Sequence, residues 1–147
     1  MTIPEAPSLR SEMLSSMLLE LIEILRDRQG NTWLAIVRIA SGNSATIAID
    51  EARIHVHAEG GQELQVTIST SEFGPLNDFE STGLVLRNIM FGKSTLEKAV
   101  ASGKIFIRAS FGDLLKIRSI VTSVLLDTQV DPRLLSLWTR FDQEWQE

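Results

Sequence analysis

The 147-residue chain contains no cysteine and no tyrosine. Without cysteine there is no disulfide, no thiolate metal site and no cysteine nucleophile. Without tyrosine one common proton donor is gone. Histidine is scarce too, with His55 and His57 the only two. Basic charge is in deficit: the net charge is −5, and the 14 lysines and arginines are scattered rather than interleaved with aromatics. A nucleic-acid footprint normally needs a basic patch that displaces counterions, so no nucleic-acid partner is expected. Long apolar runs are also missing. The densest, Met17–Leu25, is broken by Glu20 and Glu23, so no transmembrane segment is expected. Met1–Arg10 holds two prolines and a glutamate where a signal peptide would place an apolar stretch. The expectation is a soluble, cytoplasmic protein.

What is present suits a single domain over residues 1–147, with 44% hydrophobic and 22% charged residues. Residues 1–7 read as a loose arm. From Ser8, apolar residues at Leu14, Leu18, Leu21 and Leu25 have helical spacing, with Ser8 or Ser11 as cap and Gly30 as terminator. Met13, Met17, Ile22 and Ile24 widen the apolar face, so this helix is expected to be covered on more than one side or to line a cavity. Thr32–Ala40 is apolar on both parities, as in a strand covered on two faces. Ala45–Ile49, Arg53–His57 and Leu64–Ser69 read as further strands, separated by short polar turns, and the four form an antiparallel meander. Leu76–Met90 has helical character. Ser94-Thr95-Leu96-Glu97 matches a capping box, and a short helix after it stops at Gly103. Lys104–Ala109 reads as a fifth strand, and Asp113 opens a long helix. Asp131-Pro132 starts a last helix striped by Leu134, Trp138, Phe141 and Trp145.

Several apparent chemical signals have plainer explanations. Gly92-Lys93-Ser94 lacks the earlier glycine and the leading strand of a phosphate loop; Arg87 stands where that glycine should be. His55 and His57 project from one face of a strand, where they could act as bases, but a third zinc ligand at typical spacing is absent. No metal and no cofactor are expected. No Gly-x-Ser-x-Gly elbow occurs, and no carboxylate pair is set apart by its spacing. The tryptophan-rich stripe is expected to pack within the chain, with a homodimer contact through the C-terminal helix as the alternative.

The run Gly92–Ala99, Ala101-Ser102-Gly103-Lys104-Ile105-Phe106-Ile107 and the Gly112-Asp113 turn that follows resembles the sterol carrier protein 2-like domain family. Ala99 and Gly103-Lys104-Ile105 fill its short-helix and strand positions, and the likeness spans about residues 9–126. The resemblance implies an α+β fold: a five-stranded, mostly antiparallel sheet covered on one face by helices, with an apolar tunnel for a sterol or acyl chain between them. The helix within 131–147 is an extension beyond that pattern.

Two functions follow as expectations. One is binding of a hydrophobic, lipid-like small molecule (sterol, fatty acyl or polyketide-like) in that pocket. The other is a cofactor-independent cyclase or isomerase acting on a hydrophobic natural product there. Lining is expected from Met17, Leu21, Val66, Ile68 and Phe73, and from Leu86, Met90, Phe106, Leu114 and Trp138. His55, His57, Arg38 and Arg108 are the polar residues that could polarise a substrate.

Overall fold

The computed structural model describes residues 9–61, 63–70 and 76–145. Its elements are α1 (Leu9–Arg28), α2 (Asn31–Ala40), β1 (Asn43–Ile49), β2 (Ala52–Glu59), β3 (Gln65–Thr70), β4 (Phe79–Ser81), α3 (Gly83–Met90), α4 (Leu96–Ala101), β5 (Phe106–Ile107), α5 (Phe111–Val130) and α6 (Pro132–Glu144). The fold is α+β. The five strands form one mixed sheet in the order β3-β2-β1-β4-β5, in which only the β1–β4 pairing is parallel. The loose arm expected at residues 1–7 lies outside the described residues.

Register sorts the sheet into two unlike faces. Ile47, Ile54 and Thr70 lie in one row, and Ala45, Val56 and Ile68 in the next. This face meets the helices: α1 crosses β2 and β3, and α2 lies near β1 and β2. The intervening rows, Thr46-His55-Ser69 and Ser44-His57-Thr67, are polar and point the other way.

Thr32–Ala40, expected as a strand, is instead the helix α2. Trp33 and Val37 are buried, Ile36 and Ala40 pack beside them, and Leu34 and Arg38 face out. An apolar run of this length fits a buried strand or a half-buried helix equally well. Gly30, at φ 104°, turns the chain sharply between α1 and α2. The meander therefore has three strands, β1 to β3. Leu76–Met90 likewise divides: Phe79–Ser81 is β4, and Thr82 caps α3 by accepting a hydrogen bond from the Val85 amide at 3.2 Å. Lys104–Ala109 contributes only Phe106–Ile107 to the sheet.

Helix starts also shift. Thr95, not Ser94, caps α4, accepting from the Lys98 amide. Ser110, not Asp113, caps α5. Ser11 sits inside α1, where its Oγ accepts from the Arg53 amide; Ser8 lies outside the described residues.

The main core joins α1, α2, the sheet and α6. Leu134, Leu137, Trp138, Phe141 and Trp145 of the C-terminal segment are all buried in it. The stripe that raised the dimer alternative is thus consumed within the chain. Phe141 and Trp145 stack at 5.1 Å between ring centroids. The Trp145 indole donates to Asp50 Oδ2 at 2.8 Å, tying the end of the last helix to the β1–β2 turn.

Candidate ligand site

Apolar side chains under a helical layer are normally buried almost completely, because close packing leaves few voids. Here Ala45, Ile47 and Val56, central on the helix-facing side of the sheet, keep partial exposure. So do Phe79 and Ile107 on β4 and β5, and Leu86 and Met90 on α3. The helix above this region explains why. The backbone of α5 lies nearest α2, α4 and α6, and its Ile117, Val121 and Leu125 join the same small core as Phe79 and Ile107 of the sheet. None of its described side chains is fully buried, including the inward-facing Ile117, Val121 and Leu125. Two cores result. The larger lies under α1 and α6; the smaller, around Ile89, Leu96, Ala99 and Ile105, has a rim of half-buried residues. Phe79 touches both. Between them lies a layer of half-buried apolar side chains: Ile47, Val56, Leu86 and Met90 pack against the larger core, and Ile107, Ile117, Val121 and Leu125 against the smaller.

The structure brings together most of the expected lining residues. Met17, Leu21, Val66, Ile68, Leu86, Met90 and Trp138 all belong to the main core. Leu114 is half-buried on α5. Met17 and Trp138 are solid core instead of lining, the Trp138 indole donating to Thr128 Oγ1 at 2.9 Å. Phe106 pairs with Glu80, is 48% exposed, and faces away from the helices; it lines nothing. β5 alternates as a strand should, and its inward residue is Ile107. Phe73 lies outside the described residues. Ile47, Val56, Phe79, Ile117 and Val121 are half-buried beside the expected residues and were not among them. The alternation in β1 and β2 marks the first two, but Phe79 was hidden by its assignment to a helix.

Three of the four polar candidates sit together, on the wrong side of the sheet for this layer. His55 Nδ1 is 2.9 Å from Thr46 Oγ1, and its Nε2 is buried without a hydrogen-bond partner. His57 Nδ1 is 2.6 Å from Ser44 Oγ, and its Nε2 is 3.0 Å from Glu59. The Thr46 amide donates to Asp78 Oδ2 at 2.8 Å, and the Arg108 amide donates to the Asp78 carbonyl at 2.8 Å. Arg53 Nε donates to Asn77 Oδ1, and Asn77 donates on to Glu80. This network pins the chain entering β4 across the polar face. Arg38 is elsewhere, on the outer side of α2. Among the described residues no group of three or more histidines and carboxylates could hold a metal ion. No helix there is long and apolar enough to cross a membrane.

One surface hollow with a mainly apolar lining lies between α2 and α5. Ala35, Arg38 and Ile39 form one wall and Leu115, Lys116, Ser119 and Ile120 the other, enclosing about 340 Å³. This volume is at the lower end of the range for small-molecule sites. A second hollow of about 300 Å³, by Arg28, Thr32 and Asp127, is closed by polar contacts, Thr32 Oγ1 donating to Asp127 at 2.7 Å. Compared with protein-family models, curated proteins and solved structures, the chain gives no significant match to any.

Proposed function

We propose that this chain is a lipid-binding module of the sterol carrier protein 2-like kind, holding one apolar molecule in the layer beneath α5. The observation that carries this reading is the partial exposure of Ile47 and Val56 at mid-sheet, on the face that the helices cover. Each methylene entering such a layer contributes about 0.8 kcal/mol, so a medium acyl chain supplies micromolar affinity without any polar contact. Met90 on the α3 side suits this use, since methionine repacks around varied shapes. The alternative of a cyclase or isomerase draws no support from the polar residues nominated for it. His55, His57 and Arg108 lie across the sheet from the layer, and Arg38 is exposed on the outer side of α2.

The test is titration with a fluorescent acyl probe, dansyl-undecanoate, followed by displacement with palmitate and with cholesterol. Saturable binding at one molecule per chain, reversed by at least one competitor released unchanged, is the expected result. Absence of saturable probe binding would overturn the proposal, and conversion of a competitor would favour the enzyme.

A further inference from the structure

The sheet ends on two unlike edges. β5 contributes only Phe106 and Ile107 at one side. At the other lies β3, Gln65–Thr70, which pairs residue for residue with β2 and with no other strand. In an antiparallel pair, alternate residues turn their amide and carbonyl groups away from the partner strand. Half of the β3 backbone therefore points out of the sheet, and among the described residues nothing pairs with it. Exposed edges are usually blunted by charge, proline or a bulge. Gln65-Val66-Thr67-Ile68-Ser69-Thr70 has none of the three. It is rich instead in β-branched residues, which favour strand pairing.

The helix above this edge carries a matching surface. α1 lies over β2 and β3 alike and runs antiparallel to β3. Its Ser11 accepts from the Arg53 amide, beside the end of β3, and its Arg26 donates to the Leu64 carbonyl at the start. Glu20 turns the other way, to Arg140 of α6. Ser15, Leu19, Ile22 and Arg26 follow at spacings of three and four, so they share the side of the helix that overlooks the edge. Leu19 there is 38% exposed. The stripe holds no carboxylate.

We infer that β3 is a dimerisation edge, pairing antiparallel with β3 of a second copy of this chain about a twofold axis at Thr67. That register sets Thr67 against Thr67 of the second copy, and Val66 against the second copy's Ile68. Apolar residues meet on the helix-covered face and polar ones on the other. The same axis passes near Leu19, midway between the Ser11 and Arg26 anchors. Strands lie about 4.8 Å apart, so two α1 helices, each centred over β2 and β3, stand about 10 Å apart, the spacing of packed helices. Leu19 then meets Leu19 of the second copy. Glu12, which has no partner among the described residues, comes opposite the second copy's Arg26. A second copy suits this edge because pairing about the axis brings no like charges together and matches the helical stripe to itself. The two-residue β5 edge is too short to extend the sheet further, so the assembly closes as a dimer.

Sedimentation equilibrium of the full chain, from micromolar to near-millimolar concentration, is expected to fit a monomer–dimer equilibrium. Thr67→Lys sets two ammonium groups against each other across the axis, and Leu19→Glu two carboxylates. Each is expected to raise the dimer dissociation constant about tenfold or more, with melts in dilute solution confirming that both variants fold. Thr67→Cys gives the chain its only cysteine. Directly opposed residues have Cα atoms about 4.5–5.5 Å apart, within disulfide reach, so mild oxidation is expected to yield a covalent dimer. Thr122→Cys, exposed on α5, is expected to remain uncrosslinked. A chain that stays monomeric throughout would overturn the proposal. So would a dimer indifferent to both charged substitutions, or equal cross-linking of the two cysteine variants.

Discussion

Gly83 lies flat against the indole of Trp145: a Cβ on the glycine would come within 2.1 Å of Cδ1 and 2.3 Å of Nε1. Both residues donate to the same atom, Asp50 Oδ2, the Gly83 amide from 3.0 Å and the indole from 2.8 Å. Arg10 lies over the same ring at 5.1 Å and donates to the Trp145 carbonyl. One junction therefore joins the start of α3, the β1–β2 turn, the first helix and the end of the last.

Gly83→Ala should destabilise the protein by about 1–3 kcal/mol, because the added methyl forces the indole away from Asp50. Trp145→Ala should cost about 3–5 kcal/mol by emptying a buried site. In the double variant the cost of Gly83→Ala should nearly vanish, since its obstacle is gone. Urea midpoints of the four proteins form the cycle, and strict additivity would refute the steric account.

Acid should weaken the α5–α6 corner. The Asp131 carboxyl is held well below the usual carboxylate range, chiefly by the Arg133 side chain, with the Arg133 amide and Arg28 also contributing against burial. A carboxyl depressed in the folded state adds stability that is complete above its unfolded value of about 3.9 and is lost as pH falls through the folded value. Asp131→Asn should lose about 1–2 kcal/mol at pH 7, from the weakened cap and the loss of its ionic partners. Its stability should then fall less steeply than wild type between pH 4 and 2. Parallel acid-dependent slopes would refute this.

Filling the layer and hollowing the core should have opposite signatures. Ile117→Trp places bulk into half-packed space, so it should change stability by less than about 1.5 kcal/mol while weakening dansyl-undecanoate binding about tenfold or more. Leu134→Ala, at a fully buried position, should cost about 2–5 kcal/mol. A destabilisation by Ile117→Trp as large as that of Leu134→Ala would mean that the layer is filled.

His55→Ala and His57→Ala should leave acyl-probe affinity within about twofold, because both imidazoles project from the face opposite the layer. His57 is 47% exposed, and its loss should change stability by no more than about 0.5 kcal/mol. Loss of binding in either variant would place the ligand on the polar face.

The α+β class and the strands β1, β2 and β3 were legible in the chain because apolar residues recur at period two in each: Ala45, Ile47 and Ile49, then Ile54 and Val56, then Val66 and Ile68. The Asp131-Pro132 start of α6 was legible because its cap chemistry is local. α2 was not. Its apolar positions satisfy either period, and only the company of α5 and the sheet selects the helix. β4 was hidden for a related reason. Three residues are too few to show a period, and their pairing with β1 arises from a partner thirty residues away.

The sequence by itself determined which side chains are apolar and which faces they occupy, since helix and strand periods follow from backbone geometry alone. It thereby placed the apolar residues of the strands on one sheet face and the two histidines on the other. Only the tertiary structure decided that those residues divide between two cores and that several on the sheet stay half-buried. It also decided that Arg38 has no partner while the other described arginines do. Both are properties of distance between elements remote in the chain, and no local pattern encodes such a distance.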